Sequence, residues 1–304
     1  MRIMVCTERD VVTCTALNRL LPGLAGHTVM VAFLDPGPVD LSSGSPLRAS
    51  DRVEREVFPQ RVLDPLDRLP APPGALLSFG HLLRRYGVPF HALDRADAGD
   101  LHRTAAAFAP DVILSLRFGR LFREPTLSLP PLGILNTHSG ALPAYPGLSA
   151  HAHALLDGAT GLTCTLHRVD AGIDTGPVVA ERRLPFDRTR SILWHLPALY
   201  TLGAEMFLEA LPGLAAGRLP AARPQERAAR RYRSELSAEQ ALELERLGFR
   251  FVAGRDVDEL AARFTGTATG GTSAACGIRT FDRAVPGPVP RTSAGAGALE
   301  GHRP

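Results

Sequence analysis

Short apolar runs alternate with longer amphipathic stretches over the first two thirds of the chain. Residues 2–6 and 28–34 are mostly apolar runs of the length that buried strands have. Between them, residues 10–21 carry apolar side chains at helical spacing, and the pattern ends near Pro22-Gly23. This order predicts a strand, a helix and a second strand. The short crossover predicts that the two strands pair in parallel.

The same alternation continues to about residue 216. Further helices are predicted at 74–86, 98–108, 148–157 and 191–216. Pro212-Gly213 could break the last of these helices. Further strands are predicted at 88–91, 111–116, 133–136, 161–169 and 177–184, with a turn and helix near 119–128. Alternating strands and helices predict an α/β fold with a doubly wound, mostly parallel sheet. Such sheets bind ligands beyond the carboxyl ends of their strands.

Three segments lie outside this alternation. Residues 35–73 are rich in Pro, Ser and charge and give no clear element, whereas residues 237–264 suggest a small helix, strand and helix. From 265 the chain is mostly Gly, Ala, Ser, Thr and Pro, which predicts a disordered tail. We therefore expect a catalytic domain at 1–217, a small C-terminal subdomain at 218–264 and a tail at 265–304.

Composition and charge exclude several classes of function. The chain has 304 residues with a formal net charge of +3, which gives no strong field for nucleic acid, so such a partner is not expected. All 34 basic residues are Arg, a bias typical of a GC-rich bacterial genome. Without Lys, Schiff-base chemistry and a P-loop are excluded. The four cysteines have no metal-site spacing, and no apolar run reaches membrane-spanning length, so we expect a cytoplasmic protein without a membrane partner.

Polar residues follow one predicted central strand and fill one later loop. Asn136, Thr137 and His138 fall at the carboxyl end of strand 133–136, and the loop 170–176 carries Asp170 and Asp174 among glycines. An amide, an imidazole and a carboxylate in one pocket suit acyl transfer to an amine. The amide can stabilise an oxyanion, and the other two groups can move protons. No GxSxG motif is present, which argues against a serine hydrolase.

The stretches GILNTHSGALPAYPG and VDAGIDTG resemble motifs of the folate-dependent formyltransferase family, which includes enzymes that formylate methionyl-tRNA, glycinamide ribonucleotide and amino sugars. The resemblance covers most of 1–210 and implies a Rossmann-like catalytic domain with 10-formyltetrahydrofolate as formyl donor. It also implies that Asn136, His138 and Asp174 are catalytic. The donor-binding positions that it implies are Phe118, Gly119, Arg120, Leu121, Phe122, Asp170 and Gly172.

Departures from the family pattern bear on the acceptor. Ser139-Gly140-Ala141 replaces the commoner Pro-Ser-Leu, and residues 6–10 lack the glycine-rich phosphate loop of the enzymes that formylate glycinamide ribonucleotide. The segment after Arg218 is too short for the basic β-barrel of the tRNA-formylating relatives. We therefore expect a small amine: an amino sugar, a nucleotide-linked amino sugar or an intermediate of a specialised metabolite.

Other functions and assemblies stay open from the sequence. The alternatives are a hydrolase that releases formate from the same donor, a non-catalytic folate-binding relative and a protein like methionyl-tRNA formyltransferase. The oligomeric state is also open, a homodimer included.

Several polar residues have a simpler interpretation than catalysis. Asp170 precedes Ala-Gly and is expected to form a turn. His151 and His153 are two positions apart on a helix and face different sides, so no metal site is expected there. His167 is interpreted as a half-buried sheet residue. The Arg-rich segment 218–233 is interpreted as a solvated helix face in preference to a surface for an acidic partner.

Overall fold

In the computed structural model, which describes residues 1–35 and 37–267, seven strands form one sheet. The strands are β1 (Arg2–Glu8), β2 (Thr28–Leu34), β3 (Phe90–Leu93), β4 (Val112–Leu116), β5 (Ile134–His138), β6 (Gly161–Arg168) and β7 (Val178–Pro185). Their order across the sheet is β3-β2-β1-β4-β5-β6-β7. The first five strands in this order pair in parallel, β6 pairs antiparallel with β5, and β7 pairs antiparallel with β6. The predicted α/β fold with a mostly parallel sheet is confirmed.

Helices cover both faces of the sheet. They are α1 (Val11–Gly23), α2 (Pro46–Arg52), α3 (Asp64–Asp67), α4 (Phe79–Tyr86), α5 (Asp100–Phe108), α6 (Ala150–Leu156), α7 (Ile192–Ala215), α8 (Ala238–Arg246) and α9 (Gly254–Thr265). The side chain of Asp10 caps α1 by accepting a hydrogen bond of 2.7 Å from the Thr13 amide, and this fixes the chain directly after β1.

The core lies where α1 and α7 pack on the sheet. Leu17 of α1 and Phe207 of α7 are fully buried within one large apolar cluster. Gly203 lets α7 approach the sheet, because a Cβ at this position would come within 2.8 Å of the Thr137 side chain and 3.1 Å of Cys164 Sγ. Thr137 separates Asn136 from His138, so this packing fixes the strand that carries both.

Several elements differ from the sequence-based expectation. The segment 35–73 contains α2, α3 and two π-helical segments, Val53–Val57 and Pro59–Leu63. Helix α7 continues through Pro197 and Pro212, so the break considered at Pro212-Gly213 is absent from this described part of the chain.

The C-terminal elements also differ. Residues 237–264 form two helices, and the expected strand between them is not found in this described segment. The disordered tail predicted at 265–304 lies outside the described residues from 268 onward. Among the helices of the described residues, none is long and apolar enough to cross a bilayer.

Candidate active site

Strand β5 presents Asn136 and His138 on one face because side chains alternate along a strand. The antiparallel register places His167 of β6 opposite Asn136, and Thr165 opposite His138. The Nδ2 and Nε2 atoms of Asn136 and His167 lie 3.0 Å apart. Sequence analysis interpreted His167 as a half-buried sheet residue. In the structure it is buried, and it belongs to the same polar cluster as Asn136 and His138.

Asp174 reaches this cluster from the loop between β6 and β7. Its Oδ2 lies 3.5 Å from Nδ1 of His138, and its Oδ1 lies 3.4 Å from Nε2 of His167. The Gly147 amide donates to Asp174 Oδ2 at 2.8 Å. The backbone of Asp174 has φ of 51°, in the left-handed region, so surrounding contacts must hold this conformation. The structure thus brings together Asn136, His138 and Asp174.

The Arg-rich segment 218–233 supplies contacts that hold the Asp174 loop. Gln225 Nε2 donates to the carbonyl oxygens of Asp174 (2.9 Å) and Gly176 (2.6 Å), and Arg230 donates to the Ile173 carbonyl at 2.6 Å. Apart from one short 3-10 turn at Arg227–Ala229, the segment has no helix. The prediction of a solvated helix face is therefore wrong, since these side chains bind backbone groups of the neighbouring loop.

The hydrogen bonds of His138 define which of its nitrogens can accept a proton. Nε2 lies 2.6 Å from the Tyr145 carbonyl oxygen, which can only accept, so Nε2 carries hydrogen and donates. In the neutral ring, Nδ1 is then an acceptor, and it faces the Asp174 carboxylate. Burial lowers the pKa of His138, opposed by Asp174 and the Tyr145 carbonyl. The neutral imidazole with a lone pair on Nδ1 is therefore the resting form at neutral pH.

His167 and Asp174 have complementary roles in the cluster. His167 Nδ1 donates to the Arg168 carbonyl at 2.8 Å, so Nε2 of the neutral ring accepts from the amide of Asn136. This bond leaves the second N–H of Asn136 to face the cavity. Burial raises the pKa of Asp174, but His138, when protonated at acid pH, and the Gly147 amide favour the carboxylate, and the pKa falls to about 2. Asp174 is therefore a carboxylate at neutral pH.

A cavity of about 450 Å³ contains this cluster at the carboxyl ends of β1, β4 and β5. All seven residues expected to bind the donor line the same cavity: Phe118, Gly119, Arg120, Leu121, Phe122, Asp170 and Gly172. Phe118 and Phe122 lie with ring centroids 5.5 Å apart, and Leu121 is 49% exposed at the cavity wall. Asp170 accepts a hydrogen bond from the Gly172 amide at 3.0 Å, as expected for a residue that forms a turn.

A buried ionic network adjoins the cavity and has no sequence motif. Arg117, with φ of 53°, donates to Asp10 at 3.0 Å and also to Glu54, and its guanidinium lies 5.3 Å from the centre of the Tyr200 ring. Burial raises the pKa of Glu54 to about 8, although Arg117 and Arg55 oppose this. A charge pattern alone does not predict this network, because its members come from three distant segments.

Comparison with known proteins identifies the family of the segment that carries the site. A family model described as formyl transferase matches residues 82–207, which include Asn136, His138 and Asp174. This segment is a formyl transferase domain. The resemblance to the folate-dependent formyltransferases, seen from two motifs, is confirmed by this match.

Curated relatives are methionyl-tRNA formyltransferases. The protein from Pelobacter propionicus is 31% identical over 152 residues, which is 50% of this chain and 46% of the relative. The protein from Chloroflexus aggregans is 33% identical over 162 residues, 52% of this chain and 50% of the relative. The chain therefore spans about half the length of these relatives.

Solved structures show the same fold. Glycinamide ribonucleotide transformylase 1 from Symbiobacterium toebii has a TM-score of 0.51 and 24% identity, over 74% of this chain and 94% of that one. An N-formyltransferase from Helicobacter canadensis, solved with folinic acid and dTDP-3-aminofucose, has a TM-score of 0.50 and 16% identity, over 77% and 71%. Because both sequence identities are below 25%, these matches show only that the folds are alike.

Proposed function

We propose that the protein is an N-formyltransferase that moves the formyl group of 10-formyltetrahydrofolate to the amine of a small molecule. Asn136, His138 and Asp174 are the proposed catalytic residues. The observation that carries the proposal is one cavity lined both by these side chains and by the whole 118–122 segment. The formyl transferase match over 82–207 supports the same reaction.

The cavity wall suits the proposed formyl donor. A folate carries a flat, fused ring system with polar edges. Phe118, Leu121 and Phe122 offer apolar surface, and the turn at Asp170–Gly172 adds polar backbone next to it. The donor would supply a formyl carbon bonded to nitrogen. We propose that the 118–122 segment together with Asp170 and Gly172 holds its ring system, with the formyl group directed toward Asn136.

The side chains of the cluster can divide the chemistry between them. The N–H of Asn136 that is not bound to His167 can donate to the formyl oxygen as negative charge develops there. His138 Nδ1 and Asp174 Oδ2 are two acceptors 3.5 Å apart, so a proton leaving the attacking amine has an acceptor on Nδ1 and a carboxylate beside it. After the amine has added to the formyl carbon, the electron pair on the oxygen restores the C=O bond as the C–N bond to the donor breaks, and the departing nitrogen takes the proton held on Nδ1.

The acceptor is proposed to be a small molecule instead of a tRNA. Residues 218–267 form an extended segment and two helices that pack on the core, and no β-barrel is formed within this described part. An amino sugar, a nucleotide-linked amino sugar or an intermediate of a specialised metabolite would fit this reaction. We further propose a cytoplasmic bacterial enzyme of a biosynthetic route, with a catalytic domain at 1–217 and a C-terminal subdomain at 218–264.

The first test is calorimetric titration with 5-formyltetrahydrofolate, a stable analogue of the donor. We expect binding to the wild-type protein and weaker binding to the Asn136→Ala/His138→Ala variant. The matched control is His91→Ala, an exposed histidine of β3 outside the cavity lining, which should bind as the wild type does. Absence of binding to the wild-type protein would contradict the proposal.

The second test measures turnover of 10-formyltetrahydrofolate in the presence of a panel of small amines and of methionine-charged tRNA. We expect tetrahydrofolate and an N-formyl product with one of the small amines. Single Ala variants of Asn136, His138 and Asp174 should reduce the rate by roughly 10²–10⁴-fold. Formate release that needs no amine would favour the hydrolase, and product with tRNA alone would favour the tRNA acceptor.

A further inference from the structure

The loop that carries Asp174 is held by an amide side chain from a distant segment. Gln225 Nε2 donates to the carbonyl oxygens of Asp174 at 2.9 Å and of Gly176 at 2.6 Å. Because a carbonyl oxygen can only accept, both N–H groups of this amide are used here. The other end of the amide, Oε1, is buried without a hydrogen-bond partner in the described part of the chain. A buried acceptor left unsatisfied needs a reason, and the two bonds to the loop supply one.

The two bonds lie on the carboxyl side of a strained residue. Asp174 has φ of 51°, and a residue with a Cβ stays in this left-handed region only where surrounding contacts hold it. The contact at its backbone carbonyl comes from Gln225, and the contact at its carboxylate comes from the Gly147 amide at 2.8 Å. The second bond of Gln225 fixes the chain two residues further on, at Gly176. The direction of the Asp174 carboxylate therefore depends on a group outside its own loop.

The segment 223–233 that carries this amide is anchored at both ends. Arg223 and Val178, the first residue of β7, exchange two backbone hydrogen bonds of 2.8 Å. Arg233 pairs with the chain around Gly147 through backbone hydrogen bonds of 2.9 and 3.0 Å. The segment therefore connects β7 with the turn at Gly147, and its backbone gives the amide a fixed position from which to hold the loop.

We propose that Gln225 is a positioning residue for formyl transfer, which holds the Asp174 carboxylate beside His138. This inference rests on the proposed function. Gln225 does not line the cavity, so it does not touch the reacting groups and acts through Asp174. Without its N–H groups, the backbone of Asp174 can leave the left-handed region. The carboxylate oxygen that lies 3.5 Å from Nδ1 of His138 would then move away from it.

The first measurement is the pKa of His138, followed by NMR of the histidine rings in the wild type and in Gln225→Met. Met has a similar length to Gln but no N–H group. The Asp174 carboxylate raises the pKa of His138 against the effect of burial, so we expect a lower pKa in Gln225→Met than in the wild type. The matched control is Gln60→Met, an exposed glutamine outside the lining of this cavity, which should leave the pKa unchanged. This measurement needs no turnover.

The second measurement compares formyl transfer by Gln225→Met, Asp174→Asn and the double variant, with the amine that the wild type formylates. We expect Gln225→Met to lower kcat by about tenfold to 100-fold, with KM for 10-formyltetrahydrofolate kept within about twofold, because a displaced carboxylate slows the chemical step. The double variant should have the kcat of Asp174→Asn alone, since Gln225 acts through that carboxylate. A merely structural loss would add to the effect of Asp174→Asn.

A second substitution covers the case in which Gln225→Met does not fold. Gln225→Asn keeps the amide but shortens its reach by one methylene, so it should lower the pKa of His138 and kcat in the same direction. An unchanged pKa of His138, an unchanged kcat, or additive losses in the double variant would each overturn the inference. A wild-type protein that formylates no amine would contradict the proposed function instead, and the pKa of His138 would still test the role of Gln225.

Discussion

Replacing Asp174 by Asn tests both the electrostatics and the chemistry of the site. The substitution keeps the shape of the side chain but removes the charge that faces His138 and His167. The Asn side chain can still accept from the Gly147 amide, so the loop keeps one of its contacts. Any loss of stability or activity in this variant should therefore come from the missing carboxylate more than from a rearranged loop.

The size of the effect on stability follows from the pKa of Asp174. Burial raises this pKa, but His138, when protonated at acid pH, and the Gly147 amide favour the carboxylate, so the value falls from 3.8 to about 2. At about 1.4 kcal/mol per pKa unit, the folded protein favours the carboxylate by roughly 2 kcal/mol. Because the folded pKa is depressed, this contribution is lost as the pH falls from about 4 to 2, and the part that comes from His138 also declines toward neutral pH, where that imidazole is neutral.

Urea denaturation of the wild type and Asp174→Asn between pH 7 and pH 3 measures this contribution. We expect the variant to be less stable by at most roughly 2 kcal/mol, with a smaller difference at pH 7, where His138 is neutral, and a difference that shrinks below pH 4. Asp35→Asn, an exposed carboxylate after β2, serves as the control for a simple change of net charge. A difference that grows as the pH falls below 4 would refute the reasoning, as would formyl transfer by Asp174→Asn at the wild-type rate.

Two further substitutions test the contacts that support the site. Arg117→Met leaves the buried carboxylates of Asp10 and Glu54 without their shared partner. We expect the free energy of unfolding, measured by urea denaturation, to fall by about 3–5 kcal/mol. A fall of less than about 1 kcal/mol would contradict the stabilising role of this network. Gly147→Ala places a residue with a Cβ at φ of 104°, and this Cβ would come within 2.1 Å of the Arg233 carbonyl oxygen. We therefore expect the segment 218–233 to detach from the loop, so that trypsin cleaves it faster than in the wild type. An unchanged rate of cleavage would contradict this prediction.

The elements that sequence reasoning predicted best are those whose pattern is set by local burial. β1 and β2 lie between α-helical layers, and strands buried on both faces must be continuously apolar. The helical content of 35–73 escaped prediction because Pro46, Pro59 and Pro65 interrupt its pattern. In the structure each of these prolines lies in the first turn of a helical segment, where a missing N–H costs little.

The parts of the site that sequence reasoning missed depend on contacts between distant segments. His167 becomes a partner of Asn136 through the register of β5 and β6, which no local pattern encodes. Gln225 and Arg230 bind carbonyl oxygens of the Asp174 loop, although their own segment carries no periodic signal. Two sequence motifs carry Asn136, His138 and Asp174, and the structure brings these three residues together, whereas Gln225 and Arg230, which hold the loop, lie outside both motifs.

The architecture separates the residues proposed for chemistry from other groups that line the same cavity. Asn136 and His138 stand on a strand fixed by the close approach of α7 at Gly203, so a change there would disturb the core. The same cavity is also lined by residues of the helical segment 46–57, which lies outside the sheet and ends in the π-helical turn Val53–Val57. Substitutions along that segment can alter the shape and charge of the wall while β5 stays in place. A fold organised in this way can keep one formyl-transfer reaction and change its amine.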